Sequence, residues 1–370
     1  MKRVLVTGGA GFIGSHVVDL LLQSGYAVRV LDSLEPPVHH PAYPYRPPEG
    51  VEFIQASVLD AAALDRALEG TQLVMHLAAY QDYLRDFSKF AMVNGGGTAL
   101  LYERIVANRY PVEKVVLASS QAVYGEGKYT CPTHGVVYPP PRSVEQMREG
   151  RWDIRCEACG GEMASLPTDE STVNPHNQYA ISKYSQELYA LILGRRFGIP
   201  TVALRYSITQ GPRQSPNNAY SGILRRFTAR LLHGLPPVIY EDGQQIRDYV
   251  HVRDATRATL LVMERPAADF RTFNVGGRET ATPLQYARLL GEVLGKAVEP
   301  EMPGYFRMGD TRHVASDSGR LASLGWRPQV RLREIAEDYL AWAMEERERF
   351  PAPSADAEML AMGVVRTAAA

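Results

Sequence analysis

In "NPHNQYAISKYSQELYALILGRRFG" Tyr179 and Lys183 stand four residues apart. The apolar residues Ile181, Tyr184, Leu188 and Leu191 recur at helical spacing through the same stretch, so it reads as a helix with both polar side chains on one face. An ammonium beside a phenol favours phenolate, which would bring a tyrosine down from about 10 toward working pH, where it serves as a base. Taken alone, such a pair describes many solvated helix faces. A third group gives it meaning: Ser120 in "VVLASSQAVYG" follows a strand-like apolar run. It would lie at the carboxyl end of a sheet, where its hydroxyl can hydrogen-bond an oxygen on which charge develops. Without the YxxxK pattern, Ser119 or Ser120 would read as a turn cap.

"VLVTGGAGFIGSH" places Gly8, Gly11 and Gly14 after the first strand-like run and at the opening of a helix. Glycines there let the backbone approach a pyrophosphate, and the helix N-terminus supplies oriented N–H groups. Asp32 ends the second strand-like run, 18 residues past Gly14, where a carboxylate can accept from both ribose hydroxyls of an adenosine and would repel a 2′-phosphate. NAD is therefore the expected cofactor, in preference to NADP.

The elements that must carry these residues alternate. Short β-branched runs such as "KRVLVTGG", "AVRVLDSL", "QLVMHLAA", "EKVVLASS" and "IPTVALRYS" alternate with helical stretches through the first two thirds, the pattern of βαβ units on a parallel sheet. The expected fold is α/β: a Rossmann-type doubly wound sheet in residues 1–205, a smaller mixed α/β substrate lobe in 206–350 and a flexible tail in 351–370. The proline-rich 35–50 segment reads as a loop. With 370 residues, 45% hydrophobic, 22% charged and a net charge of −1, nothing in the balance points to nucleic acid or an anionic membrane. The first apolar run breaks at the glycines and no run of 18 apolar residues occurs, so neither a secretory leader nor a membrane span is expected and the chain reads as cytoplasmic.

All three cysteines fall in residues 126–168, between a strand and a helix. They form Cys131-x2-His134, then 21 residues, then Cys156-x2-Cys159. Two short loops, each ending in glycine, offer four ligands for a tetrahedral ion, and zinc fits this set best. Four protein ligands leave no open position, so the expected zinc is structural, in a ribbon-like insert. The CxxC does not open a helix after a strand, which disfavours redox chemistry. With five Lys/Arg against six Asp/Glu, the insert carries no footprint for nucleic acid. Lying between Ser120 and Tyr179, it is expected to act as a lid or wall on the site, or as a subunit contact.

Taken together, "TGGAGFIG", "HLAA", "VNGGGT", "SSQAVYG", "YAISK", "LRYS", "RDYVHVRD", "FNVGG" and "LGWRP" make residues 1–345, the insert apart, resemble the extended short-chain dehydrogenase/reductase family in its nucleotide-sugar epimerase/dehydratase branch. The resemblance implies that Tyr179 is the base, that Lys183 holds the nicotinamide ribose and tunes Tyr179, and that Ser120 orients the sugar hydroxyl. It further implies cofactor contacts from Phe12, Ile13, Ser57, Val58, Leu77, Ala78, Ala79 and Asn94, and substrate contacts from Arg213, Arg247 and Arg307. Guanidinium forks suit a diphosphate. A homodimer is the family expectation.

Departures narrow the chemistry. Gln121 and Ala122 stand where similar 4,6-dehydratases carry an acid and a carboxylate, and neither side chain can move a proton at C5 or O6. What remains is oxidation and reduction at one carbon, most simply C4 epimerisation. Ile208, standing where many relatives have asparagine, favours a less polar sugar, such as dTDP-L-rhamnose or another dTDP-6-deoxyhexose. The alternatives are a UDP-hexose or UDP-uronate 4-epimerase, or a non-catalytic NAD-bound sensor that uses the zinc insert to bind a partner.

Overall fold

A computed structural model describes residues 1–82, 85–218, 222–352 and 355–368. The first five strands are β1 (Arg3–Thr7), β2 (Ala27–Asp32), β3 (Glu52–Gln55), β4 (Leu73–His76) and β5 (Lys114–Ser120). The insert adds β6 (Lys128–Cys131), β7 (Gly135–Val137) and β8 (Ala164–Leu166). There follow β9 (Thr201–Tyr206), β10 (Ile208–Gln210), β11 (Arg247–His251), β12 (Arg271–Val275), β13 (Glu279–Ala281), β14 (Tyr305–Arg307) and β15 (Val365–Thr367).

Seven strands make one parallel sheet in the order β12-β9-β5-β4-β1-β2-β3. Their apolar runs are unbroken because both faces are covered. Val4 and Val6 pack with residues of the helices Phe12–Gln23 and Val252–Glu264 on one side. Leu5 points the other way, into a core shared with the helices Ala61–Leu68 and Gly97–Ala107, as the two-residue period of a strand requires. Strand order reverses at the β1/β4 junction, where an α/β sheet opens a crevice at its carboxyl edge.

A second core gathers residues of the helices Gly222–Leu232, Pro283–Val293 and Leu332–Glu345 beside the sheet β10-β11-β13. The two units interleave across residue 205: β12 pairs with β9 in the first sheet, and Ala255, Ala258 and Val262 belong to its core. The 351–370 segment, expected as a flexible tail, instead contains the helix Ala355–Ala361 and strand β15, which pairs antiparallel with β14. Met359 and Val365 are buried against Val238 and Tyr240; the short apolar run that does this was too brief to show a period. The insert forms its own antiparallel sheet, β7-β6-β8. No described helix is long and apolar enough to cross a membrane.

Candidate functional site

The turn after β1 is closed by the backbone. Gly8, at φ +71°, donates its N–H to Leu31 O at 2.8 Å, and Gly11 donates to Gly8 O at 3.2 Å. A Cβ on Gly14 would stand 2.0 Å from Gly8 O, and one on Gly8 would stand 2.7 Å from Ala78 N, so this cradle excludes side chains. The Phe12–Gln23 helix that follows has no side-chain cap, which leaves first-turn amides for an anion. Asp32 is buried, and its carboxylate accepts from Ala10 N at 3.0 Å and Leu34 N at 2.9 Å. These bonds fix its orientation beside the turn.

A cavity of about 620 Å³ runs from this turn into the second unit. Of the expected cofactor residues, Gly8, Gly11, Phe12, Ile13, Gly14, Asp32, Ser57, Val58, Leu77, Ala78 and Ala79 line it, together with Ser120, Tyr179, Lys183, Arg247 and Arg307. Two expected residues do not. Asn94 is fully buried behind the wall: its amide oxygen accepts from Tyr80 N at 2.7 Å, and its nitrogen donates to Tyr80 O at 3.0 Å and Ser182 Oγ at 2.8 Å. It shapes the Tyr80 wall instead of facing a ligand. Arg213 is drawn to the Phe12–Gln23 helix, where it pairs with Asp19 at 2.7 Å and meets His16.

The Gln178–Phe197 helix starts at Asn177, whose side chain accepts from Ala180 N at 2.9 Å. Its buried face is not the apolar stripe expected from spacing. Tyr179, Lys183, Gln186, Glu187 and Ala190 are buried, whereas Ile181, Leu188 and Ile192 are exposed. Ser120, at the end of β5, hydrogen-bonds the Tyr179 hydroxyl and opposes the effect of burial, which pushes that phenol up to about 12. Burial brings Lys183 down to about 7, partly offset by Glu187 four residues on. The expected lowering of Tyr179 by an ammonium is thus not what acts on it; burial is. Both groups are desolvated, and desolvation favours neutral phenol and neutral amine. His76, between Thr7 Oγ1 and Thr98 Oγ1, is held down to about 3 by burial and is a core residue.

Sequence reasoning missed several walls. Residues Glu35–His39 of the proline-rich loop line the cavity, with His39 Nε2 3.6 Å from Asp32 Oδ1. Gln121, buried, turns a polar amide to the same cavity, and its Oε1 has no partner. Tyr240 and Val364 add an apolar part beside Ile208, which the sequence already singles out. Only the proline cluster after the Asp32 strand gave a local sign of these walls.

In the insert, Cys131, His134, Cys156 and Cys159 bring their ligand atoms within 4.8 Å of one another. Cys131 Sγ lies 3.7 Å from Cys159 Sγ, and His134 Nδ1 lies 3.6 Å from Cys131 Sγ and 3.4 Å from Cys156 Sγ. A tetrahedral ion about 2.3 Å from each sulfur sets them about 3.8 Å apart, so the four atoms already outline such a shell. The turns that present them close at Gly135 and Gly160, both in the left-handed region. None of the described residues from 126 to 175 lines the cavity, so the insert is not the lid or wall expected from its place in the chain.

The sequence pattern of the NAD dependent epimerase/dehydratase family matches residues 4–144 and 156–276. A dTDP-L-rhamnose 4-epimerase of Burkholderia thailandensis is 35% identical over 357 residues, 94% of this chain and 96% of that protein. The crystal structure of a Thermotoga maritima UDP-glucose 4-epimerase with UDP-glucose superposes with a TM-score of 0.77 at 32% identity, covering 94% of this chain and all of that one. A Thermus thermophilus UDP-glucose 4-epimerase in complex with NAD gives 0.71 at 31% identity, covering 92% and 98%.

Proposed function

The chain belongs to the NAD dependent epimerase/dehydratase family, and from that membership we propose that it is a nucleotide-sugar 4-epimerase whose substrate is a dTDP-6-deoxyhexose such as dTDP-L-rhamnose. The observation that carries the reading is the convergence of Ser120, Tyr179 and Lys183 in one cavity with the glycine turn and Asp32. The residues fit NAD: Gly8 and Gly14 have no room for a Cβ, and Asp32 holds a fixed carboxylate where a 2′-phosphate would be repelled. When bound there, NAD supplies hydride acceptance and return at C4 of the sugar.

The chain's own residues move the proton. Tyr179, in the phenolate form that a protonated Lys183 and the positive charge of bound NAD would favour against burial, takes it from the 4-hydroxyl as the alcohol is oxidised and gives it back when the 4-keto sugar is reduced. Ser120 holds the same oxygen in place, and the common hydrogen bond keeps the two hydroxyls converged. Lys183 holds the dinucleotide ribose; at about 7 it sits where an amine gains and loses a proton near neutrality. Neither Gln121 nor Ala122, next to Ser120, ionises, so these two positions offer no acid for dehydration at C5 and O6. Ile208 on the wall and the 35% identical dTDP-L-rhamnose 4-epimerase favour the deoxyhexose. The 32% identical UDP-glucose 4-epimerase supports a UDP-hexose as the competing substrate.

Zinc in the Cys131, His134, Cys156 and Cys159 shell is part of the same proposal, as a structural ion. A second copy of the chain is the partner that fits the exposed Ile181, Leu188 and Ile192 stripe, since a helix that turns its apolar side outward needs cover. Incubation with dTDP-, UDP- and GDP-sugars without added coenzyme, followed by NMR, is expected to yield the C4 epimer of a dTDP-sugar. Tyr179→Phe is expected to lower turnover by roughly 10²- to 10⁴-fold. Turnover only with added NADPH would identify a reductase. Silence across the panel would favour the sensor.

A further inference from the structure

We propose that Arg142, a residue of the cysteine-bearing insert, is a positioning residue for the diphosphate of the substrate, acting through Asp310 on Arg247 and Arg307. The inference rests on the reading of the cavity as a nucleotide-sugar site. Arg142 lies behind the cavity wall with its side chain 1% exposed. One nitrogen of its fork donates to Glu241 at 2.8 Å. The other donates to Glu241 at 2.9 Å and to the carbonyl of Asp310 at 3.0 Å. The Asp310 carboxylate in turn accepts from Arg307 at 3.0 Å and stands 3.5 Å from Arg247. All three guanidiniums act to hold that carboxyl below its usual range.

The grip has a second strand. Arg312 donates to Asp153 of the insert at 2.8 Å, and its carbonyl, with that of Thr311, accepts from Arg247 at 3.0 and 2.7 Å. Residues 310–312 are therefore held from the insert side by Arg142 and Asp153, and they fix both cavity arginines from behind. Two guanidiniums that face an anion repel each other and lose much rotamer freedom when they close on it. A carboxylate locked between them removes both obstacles before the ligand arrives. Lysine cannot replace Arg142 here, because a single ammonium lacks the planar fork that spans a carboxylate and a carbonyl together.

The test is calorimetric titration of NAD-loaded protein with dTDP and with UDP, for the unaltered chain, Arg142→Lys and Arg142→Met, with sugar-nucleotide KM and kcat measured in parallel. Arg142→Lys is expected to weaken nucleoside diphosphate binding and raise KM by about tenfold, since small misplacement of a clamp carries penalties of this size. Bound NAD and kcat at saturation should stay within about twofold, and Arg142→Met should bind more weakly than the lysine variant. Arg142→Lys keeps the buried charge, so it carries the test if Arg142→Met does not fold. Unchanged dTDP and UDP affinity in Arg142→Lys overturns the proposal. So does a loss of NAD in step with the diphosphate, which would mark a role in the fold alone. An unaltered chain that binds neither nucleoside diphosphate overturns the nucleotide-sugar reading and this inference with it.

Discussion

The two parts of the cavity are built by opposite means. Around Gly8, Gly11 and Gly14 the walls are backbone, packed so closely that one added carbon would stand 2.0 Å from a carbonyl oxygen. Around Arg247 and Arg307 the walls are charged side chains, and each buried guanidinium needs a carboxylate or carbonyl to face. Hence the ring of Glu126, Arg142, Glu241, Asp310 and Arg312 behind them. The backbone cradle is closed within the first 78 residues, by Gly8, Gly14, Leu31 and Ala78. A charge cradle is fixed by partners 168 positions apart, as with Arg142 and Asp310.

This contrast can be broken at either part. The largest expected effect is that of Glu241→Ala, which strips the carboxylate shared by Arg142 and Arg312 and should cost about 3–5 kcal/mol in thermal or denaturant unfolding. The folded fraction should still carry NAD; if NAD is lost in proportion, the two parts are one unit and the contrast fails. Next is Gly14→Ala, expected to cost about 1–3 kcal/mol from overpacking. It should abolish bound NAD, read from the absorbance released on denaturation, while dTDP binding by calorimetry persists. Smallest is Arg213→Ala, which removes an exposed pair with Asp19 worth about 0–1 kcal/mol. Its sugar-nucleotide KM should not change, and a tenfold rise would return Arg213 to the substrate site.

The same contrast explains what could be read from the chain before folding. Most strands of the large sheet were legible as short β-branched runs, though β12 fell outside the expected 1–205 unit, and the glycine turn and Asp32 were legible from residue type and spacing. The cluster of Cys131, His134, Cys156 and Cys159 was legible as well, since each loop carries two of them within four residues. The buried face of the Gln178–Phe197 helix was not. Spacing marked the helix through Ile181 and Leu188, which are exposed, whereas polar Gln186 and Glu187 are buried because Thr98, Ser119 and Arg205 hydrogen-bond them. Asn94 and Arg213 misled for a related reason: the residue type suits a ligand, but Tyr80 and Asp19 take it first. Arg142 left no local sign at all, because its partners come from segments with no common period.

Strand β15 places Val365 opposite Arg307 and Val364 on the cavity wall, and its meaning is clearest in time. A chain leaves the ribosome from its amino end, so the turn that cradles a coenzyme emerges hundreds of residues before the segment that flanks Arg307. Among the described residues β14 has no other strand beside it. A growing chain can thus complete the large sheet at Val275 well before the last wall of the cavity, at Val364, has been made.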